Sequence, residues 1–213
     1  MGATVVVDLD EVLLSGDAAL LFVRGALADS PGRSVPLLLA APLLLAGSAL
    51  PWTRPLAARV LVRLALGRRA GRTGVASAYR RALASRPEAV VAEAVDAVRR
   101  HRADGDRVVV ATGCEQTLAE GFLVAAGLPD LEVVGSTGRL WPPAVRRCMG
   151  PAKVAMLADR GHRPPWAAVY SDSASDLPLF RRTTRPVPVN GSDRDAAQLR
   201  EALDGPVDRC TWR

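Results

Sequence analysis

The sequence predicts an α/β protein, built as a doubly wound parallel sheet with helices on both faces and a long helical insertion near its start. Three observations carry this prediction. Short β-branched runs alternate with helical stretches, and those runs end in small polar or acidic residues. The alternation breaks once, for about a hundred residues between the first run and the second. Ligands of such sheets collect at the carboxyl ends of the strands, which is where these runs turn polar.

The elements follow in order. "ATVVVDLD" at 3–10 is a first strand ending in acids. "VVAEAVDAVRRHRADG" at 90–105 has amphipathic spacing and a glycine stop, the pattern of a crossover helix leading into a second strand at "DRVVVATG", 106–113. A helix over 115–127 precedes a third strand, "LEVVGS" at 131–136. A helix over 152–161 precedes a fourth, "PWAAVYSD" at 165–172. "PVPVN" at 186–190 is the fifth, and a helix over 193–203 closes the pattern.

The insertion divides the chain into a core, residues 1–14 and 88–213, and a helical cap, residues 15–87. Within it, "VPLLLAAPLLLAGSALPW" at 35–52 falls short of the roughly 20 apolar residues a spanning helix needs, and Pro36, Pro42 and Pro51 interrupt it. Two readings stand. One is a buried helix pair in a small bundle. The other is an interfacial element giving peripheral membrane association through the cap, with Arg33 before it and Arg54, Arg59, Arg63, Arg68, Arg69 and Arg72 after it positioned for anionic head groups.

Composition narrows the function classes. Of 213 residues, 49% are hydrophobic and 23% charged, a folding profile rather than a disordered one. The net charge of +6 is carried by arginine against an Ala/Val/Leu/Gly background, and Lys153 is the sole lysine. Aromatics make up only 4% and no basic run is interleaved with them, which argues against a nucleic-acid partner. Cys114, Cys148 and Cys210 are odd in number and widely spaced, and the first ten residues lack a charged leader. Both features point to a reducing, cytoplasmic setting. His101 and His162 sit in no ligand pattern and read as surface residues.

Four acids and one lysine carry the chemistry. Asp8 and Asp10, two apart at a strand end, leave the same face and meet where the chain turns. "VYSDSASDLPLF" adds Asp172 and Asp176 on a later strand-end loop. Carboxylates this dense need a cation, and hard oxygen donors without histidine suit Mg2+, which takes one or two carboxylates plus a phosphate. Singly, each motif has an ordinary explanation as a turn or a helix cap. Their weight lies in their joint order: three mark strand ends and the fourth, Lys153, opens a helix leading into the last acidic loop.

In that order, DxDxV, a strand ending in Thr112, the single Lys153 and SDSxxD resemble the four motifs of the haloacid dehalogenase superfamily. Placing the insertion between the first two motifs is similar to the subgroup with a helical cap that includes phosphoserine phosphatase. "CMGPAKVAML", "VYSDSASDLPL" and "PVPVN" look most like bacterial relatives of phosphatidylglycerophosphate phosphatase. The resemblance implies a Rossmann-like core and phosphomonoester hydrolysis through an aspartyl-phosphate. Asp8 would be the nucleophile and Asp10 the acid and base. Thr112, Gly113 and Lys153 would hold the phosphoryl group, and Mg2+ would be held by Asp8, Asp10 through its carbonyl, and Asp172. Asp176 would support the metal shell or Lys153.

Glu11, Val12 and Ser171 depart from the usual pattern without removing a catalytic group, and Cys114 reads as structural or incidental. Three functions remain open: a lipid phosphate phosphatase, a phosphatase of a small soluble ester such as phosphoserine, and a non-catalytic phosphate- or lipid-binding module. The lone lysine fits its motif position on physical grounds. A compact ammonium can touch a carboxylate and a phosphoryl oxygen together, whereas a planar guanidinium demands fork geometry.

Overall fold

Strand β1 (Thr4–Val7) lies in the middle of the sheet. The computed structural model describes residues 2–28, 53–139, 141, 144–203 and 209–212. The apolar stretch at 35–52 and Arg33 lie outside these described residues. β1 pairs in parallel with β2 (Arg107–Glu115) on one side and β5 (Ala168–Ser171) on the other, so that Val7 is level with both Val110 and Tyr170. β3 (Glu132–Arg139) and β6 (Pro186–Pro188) extend the sheet outward in parallel, and β4 (Ala144–Arg146) adds an antiparallel edge, giving the order β4-β3-β2-β1-β5-β6. The winding direction reverses between β1 and β5, which makes the ends of those two strands the crevice of the sheet.

Alternation along the strands feeds two cores. Val5, Val7, Val108, Val110, Ala168 and Tyr170 enter one apolar cluster, while Val6, Val109, Ala111 and Val169 enter the other. The first face is covered by α4 (Ala92–Ala103) and α5 (Gln116–Ala125). The second is covered by α6 (Pro151–Asp159), the short α7 (Leu177–Phe180) and α8 (Asp193–Ala202). The doubly wound sheet expected from the sequence is therefore present.

Between β1 and α4 the described residues form α1 (Ala18–Leu27), α2 (Arg54–Leu66) and α3 (Arg72–Ser85). α1 and α3 share the first core rather than building one of their own. Tyr79 packs edge-on against Phe22 and Phe122, with ring centroids 6.0 and 5.6 Å apart. α3 meets α5 so closely that a Cβ on Gly121 would sit 2.4 Å from Val75 Cγ1. Two of the arginines flanking the apolar stretch serve this packing: Arg59 donates to the Gly138 carbonyl at 2.7 Å and Arg72 to the Pro129 carbonyl. Among the described residues no helix is long and apolar enough to cross a membrane.

Two details differ from the sequence reading. The third strand runs to Arg139 instead of stopping at Ser136 and folds back as β4, a hairpin the sequence reading lacks. Gly135 and Gly138 in this strand serve close approach, which the sequence reading does not foresee. A Cβ on Gly138 would lie 3.1 Å from the Leu56 nitrogen, and one on Gly135 would lie 3.0 Å from Gln116 Cα.

The histidines, read as surface residues, are not. His162 is 1% exposed, and His101 is half-buried between Asp106 and Tyr170, with contacts of 2.9 Å to each. Helix endings explain both. After α6, Gly161 at φ 86° turns the chain so that the His162 N–H bonds back to the Leu157 carbonyl at 2.9 Å, and the ring lies buried with Nε2 3.1 Å from Glu132 Oε2. After α4, Gly105 at φ 84° does the same for Asp106, which returns its N–H to the His101 carbonyl and its carboxylate to the His101 ring.

Candidate active site

Asp8 is the first residue past β1, and its N–H bonds to the Tyr170 carbonyl of β5 at 2.9 Å, so the sheet's own ladder places it at the crevice. Its Oδ1 accepts the Leu9 N–H at 2.7 Å and its Oδ2 accepts from Lys153 Nζ at 2.7 Å. Lys153 sits in the first turn of α6, just past Gly150 and Pro151, and is 3% exposed. The same ammonium donates to Asp176 Oδ2 at 2.6 Å, and the Ser171 hydroxyl donates to that oxygen at 2.7 Å. Asp8, Lys153 and Asp176, separated by up to 168 positions in the chain, thus form one bonded line.

Asp10 and Asp172 flank that line without hydrogen-bonding to it. Asp10 Oδ1 accepts the Ala18 N–H at 3.2 Å, and the Ala18 carbonyl accepts the Tyr79 hydroxyl at 2.9 Å, so the insertion is pinned to the acid at its root. Asp172 is the first residue past β5, and the β6–α8 loop passes so close that a Cβ on Gly191 would sit 2.5 Å from its carbonyl oxygen. Thr112 is fully buried near the end of β2, and its Oγ1 accepts the Cys114 N–H at 3.0 Å, which leaves the hydroxyl proton free to donate. The β2–β3 register shifts between Thr112 and Glu115, so the chain bulges at Gly113. Ser136 holds that bulge: its hydroxyl donates to the Gly113 carbonyl at 2.8 Å and accepts the Cys148 N–H at 2.9 Å.

The electrostatics are those of an acid cluster with too little positive charge. Burial pushes Asp8 up to about 8 against the pull of Lys153, with Asp176 adding repulsion. Burial, with Asp17 and Asp172 nearby, lifts Asp10 to about 7, and burial lifts Asp172 to about 6. Asp176 is held below its usual range although burial opposes this, because Lys153 and Ser171 both donate to it. Lys153 stays protonated against the cost of burial because Asp8 and Asp176 bracket it. One ammonium can neutralise one carboxylate, and Asp176 with its second donor takes it. The charge left on Asp8, Asp10 and Asp172 calls for a further cation.

The donors are all hard oxygens, and no group of three or more His, Cys, Asp or Glu side chains converges on one point among the described residues. Hard oxygen donors are the kind Mg2+ takes. The Cys114 thiol is pushed well above its usual value by burial and by Asp10, Glu115 and Asp17, so it is a neutral neighbour rather than a nucleophile.

Sequence reasoning treated Ser171 as a neutral departure and gave no role to Asn190. Asn190, the sole asparagine, takes φ 53° and donates its amide to the Glu11 carbonyl at 2.9 Å. Its side-chain oxygen accepts the Trp212 N–H at 2.8 Å, and its own N–H bonds to the Cys210 carbonyl at 3.0 Å. It therefore ties the C-terminal segment to the loop that carries Asp8 and Asp10.

A family model described as haloacid dehalogenase-like hydrolase matches residues 5–181. Among solved structures, a Bordetella pertussis Tohama I protein of unknown function is similar at 20% identity and a TM-score of 0.63, over 99% of each chain. A phosphoserine phosphatase bound to its substrate is similar at 13% identity and 0.55, over 99% of this chain and 93% of that one. A putative phosphatase from Clostridium difficile is similar at 13% and 0.51, over 99% and 94%. At these identities the likeness is one of fold. No curated protein sequence matches.

Proposed function

Because this chain belongs to the haloacid dehalogenase-like hydrolases, we propose that it is a Mg2+-dependent phosphomonoester hydrolase working through an aspartyl-phosphate on Asp8. The observation that carries the reading is the single ammonium of Lys153 donating to both Asp8 and Asp176 in a buried setting. A carboxylate held by a backbone N–H on one oxygen and an ammonium on the other is oriented for in-line attack, and its charge is partly screened from the incoming phosphoryl oxygens.

In the first step a carboxylate oxygen of Asp8 bonds to phosphorus and the bond from phosphorus to the alcohol oxygen breaks. Asp10 gives its proton to that oxygen, and its burial favours the acid form from which it starts. In the second step Asp10, now a carboxylate, takes a proton from water as the water oxygen attacks phosphorus, and the acyl-phosphate bond breaks to return Asp8. The Thr112 hydroxyl and the backbone at Gly113 would hold phosphoryl oxygens. Asp176 keeps Lys153 in line, and Ser171 keeps Asp176 in place. Asp8, Asp172 and the Asp10 carbonyl would hold the Mg2+, which supplies charge neutralisation and alignment at the phosphoryl group.

We take the substrate to be a lipid phosphate, met at the cytoplasmic face of the membrane, with residues 15–87 acting as the cap. The apolar composition of 35–52 and the exposed Arg63, Arg68 and Arg69 beyond it support this. The fold shared with phosphoserine phosphatase supports a second reading, a small soluble ester. The test is phosphate release, with Mg2+ and with or without detergent micelles, from phosphatidylglycerophosphate, phosphatidate, lysophosphatidate and phosphoserine, with Asp8→Asn as the blank. Release from the lipids that vanishes in the variant supports the first reading. Release from phosphoserine alone supports the second, and no release from a folded protein turns the reading to a binding module.

A further inference from the structure

Between Glu132 and Asp159 the chain carries no acidic residue, and the centre of this stretch reads Arg139-Leu-Trp-Pro-Pro-Ala-Val-Arg146-Arg147. The nearest acids in the chain lie seven residues before Arg139, at Glu132, and twelve after Arg147, at Asp159, whereas closely mixed charge is the norm in a surface hairpin. The hairpin's place in the fold gives this meaning. β3 runs past its last pairing with β2, Glu115 with Ser136, and its residues Thr137, Gly138 and Arg139 pair instead with Arg146, Val145 and Ala144 of β4. The hairpin therefore projects beyond the carboxyl edge of the sheet, the edge that carries Asp8, Asp10 and Asp172. Its base is fixed by Arg59 of α2 on the Gly138 carbonyl and by Ser136 between Gly113 and Cys148.

Beyond that base, Trp141 is 86% exposed, the highest of the large apolar side chains among the described residues, and Val145 and Met149 are also exposed. An indole this exposed has most of its burial free energy still to gain. We propose that the β3–β4 hairpin is a membrane-contacting element that docks on an anionic bilayer, with Trp141 at the head-group boundary and Arg146 and Arg147 against anionic lipid.

A bilayer supplies apolar depth for Trp141 and negative charge for Arg147 in one occupant, and it can share Arg146 with Asp159. A second copy of the chain would set arginine against arginine about the same tryptophan and is disfavoured by charge. Docked in this way, the carboxyl edge of the sheet faces the lipid surface. That consequence rests on the lipid reading of the active site, whereas the docking itself does not.

The experiment is co-sedimentation of the full chain with vesicles of phosphatidylcholine alone, or with about one-third phosphatidylglycerol. The expected result is binding to the anionic vesicles only. It should weaken about fivefold in Arg147→Ala and at least as much in Trp141→Ser. Both variants should keep the melting temperature of the parent and its hydrolysis of p-nitrophenyl phosphate. Arg147 is the cleaner probe, because Arg146 is also paired with Asp159.

The proposal is overturned if the parent binds neither vesicle, or if both variants bind as the parent does, which would assign the membrane contact to another surface. It is also overturned if the parent is a dimer in light scattering that Trp141→Ser makes monomeric. Binding that follows the proposal, from a protein that releases no phosphate from any lipid, would leave the hairpin's role intact and overturn the lipid substrate alone.

Discussion

Asp8 and Asp176 share one ammonium: Lys153 Nζ lies 2.7 Å from the first and 2.6 Å from the second, and all three groups sit away from solvent. The arrangement needs a compact charge with donors in divergent directions, which explains why the one lysine of an arginine-rich chain stands here. Lys153→Arg should therefore fail although it keeps the charge. We expect turnover to fall by at least about a hundredfold in both Lys153→Arg and Lys153→Met. Lys153→Met should also lose about 3 kcal/mol of stability at pH 8, where two buried carboxylates are left without a cation. Steady-state assay and urea unfolding measure the two effects, and an arginine variant with parental turnover would overturn the geometric argument.

The raised acids set the pH dependence of the metal-free fold. Asp8, Asp10 and Asp172 sit at about 8, 7 and 6, all above the ordinary 3.8. Between 3.8 and those values the folded state holds protons that the unfolded chain has released, so this contribution is fully present below about pH 4 and is lost as pH rises to about 8. In EDTA the melting temperature should fall over that window. Mg2+, which binds the ionised carboxylates, should raise it by several degrees at pH 8 and hardly at all at pH 5. A melting temperature in EDTA that climbs with pH would contradict the buried-acid account.

Asp10→Asn removes a buried charge but keeps the oxygen that accepts the Ala18 N–H. At pH 8, without metal, it should be more stable than the parent, and the gain should vanish near pH 4. Turnover should drop by about a hundredfold or more because no proton reaches the leaving oxygen. Thermal melts at the two pH values, set beside the rate, separate a functional acid from a structural one.

Ser171 shows where the sequence ran out. That Asp8, Thr112 and Asp172 lie at strand ends and Lys153 at a helix start was legible because the alternation of strands dictates order. Five strands and their helices were legible from period and punctuation. Ser171 read as a neutral stand-in for glycine, since nothing local reveals that its hydroxyl faces Asp176. β4 and the burial of His162 depend on close approaches and a helix ending that hydropathy does not encode. Ser171→Ala should cost about 1 to 2 kcal/mol in urea unfolding, because the Asp176 carboxylate loses a donor where water cannot replace it, and turnover should fall about tenfold.

Asn190 lies 179 positions from Glu11 and donates to its carbonyl at 2.9 Å, while its side-chain oxygen takes the Trp212 N–H. Its φ of 53° is one that asparagine tolerates and most residues do not. Glu11 itself sits at φ 58°, so the turn directly after Asp10 is in an uncommon conformation, and this amide joins the backbone bonds to the Leu9 carbonyl in holding it. Asn190→Asp keeps the backbone preference and the acceptor for Trp212 but removes the donor to Glu11 and adds charge beside the acids. Asn190→Gly keeps the backbone preference and the backbone bond to the Cys210 carbonyl but loses both side-chain bonds. If the amide positions the catalytic loop, Asn190→Asp should lower kcat by about five- to tenfold with the C-terminal segment still protected from exchange. Asn190→Gly should lose that protection as well. Hydrogen exchange at residues 209–212, read together with kcat, distinguishes positioning of the loop from anchoring of the C-terminal segment. A parental kcat in Asn190→Asp would leave Asn190 with the anchoring role only.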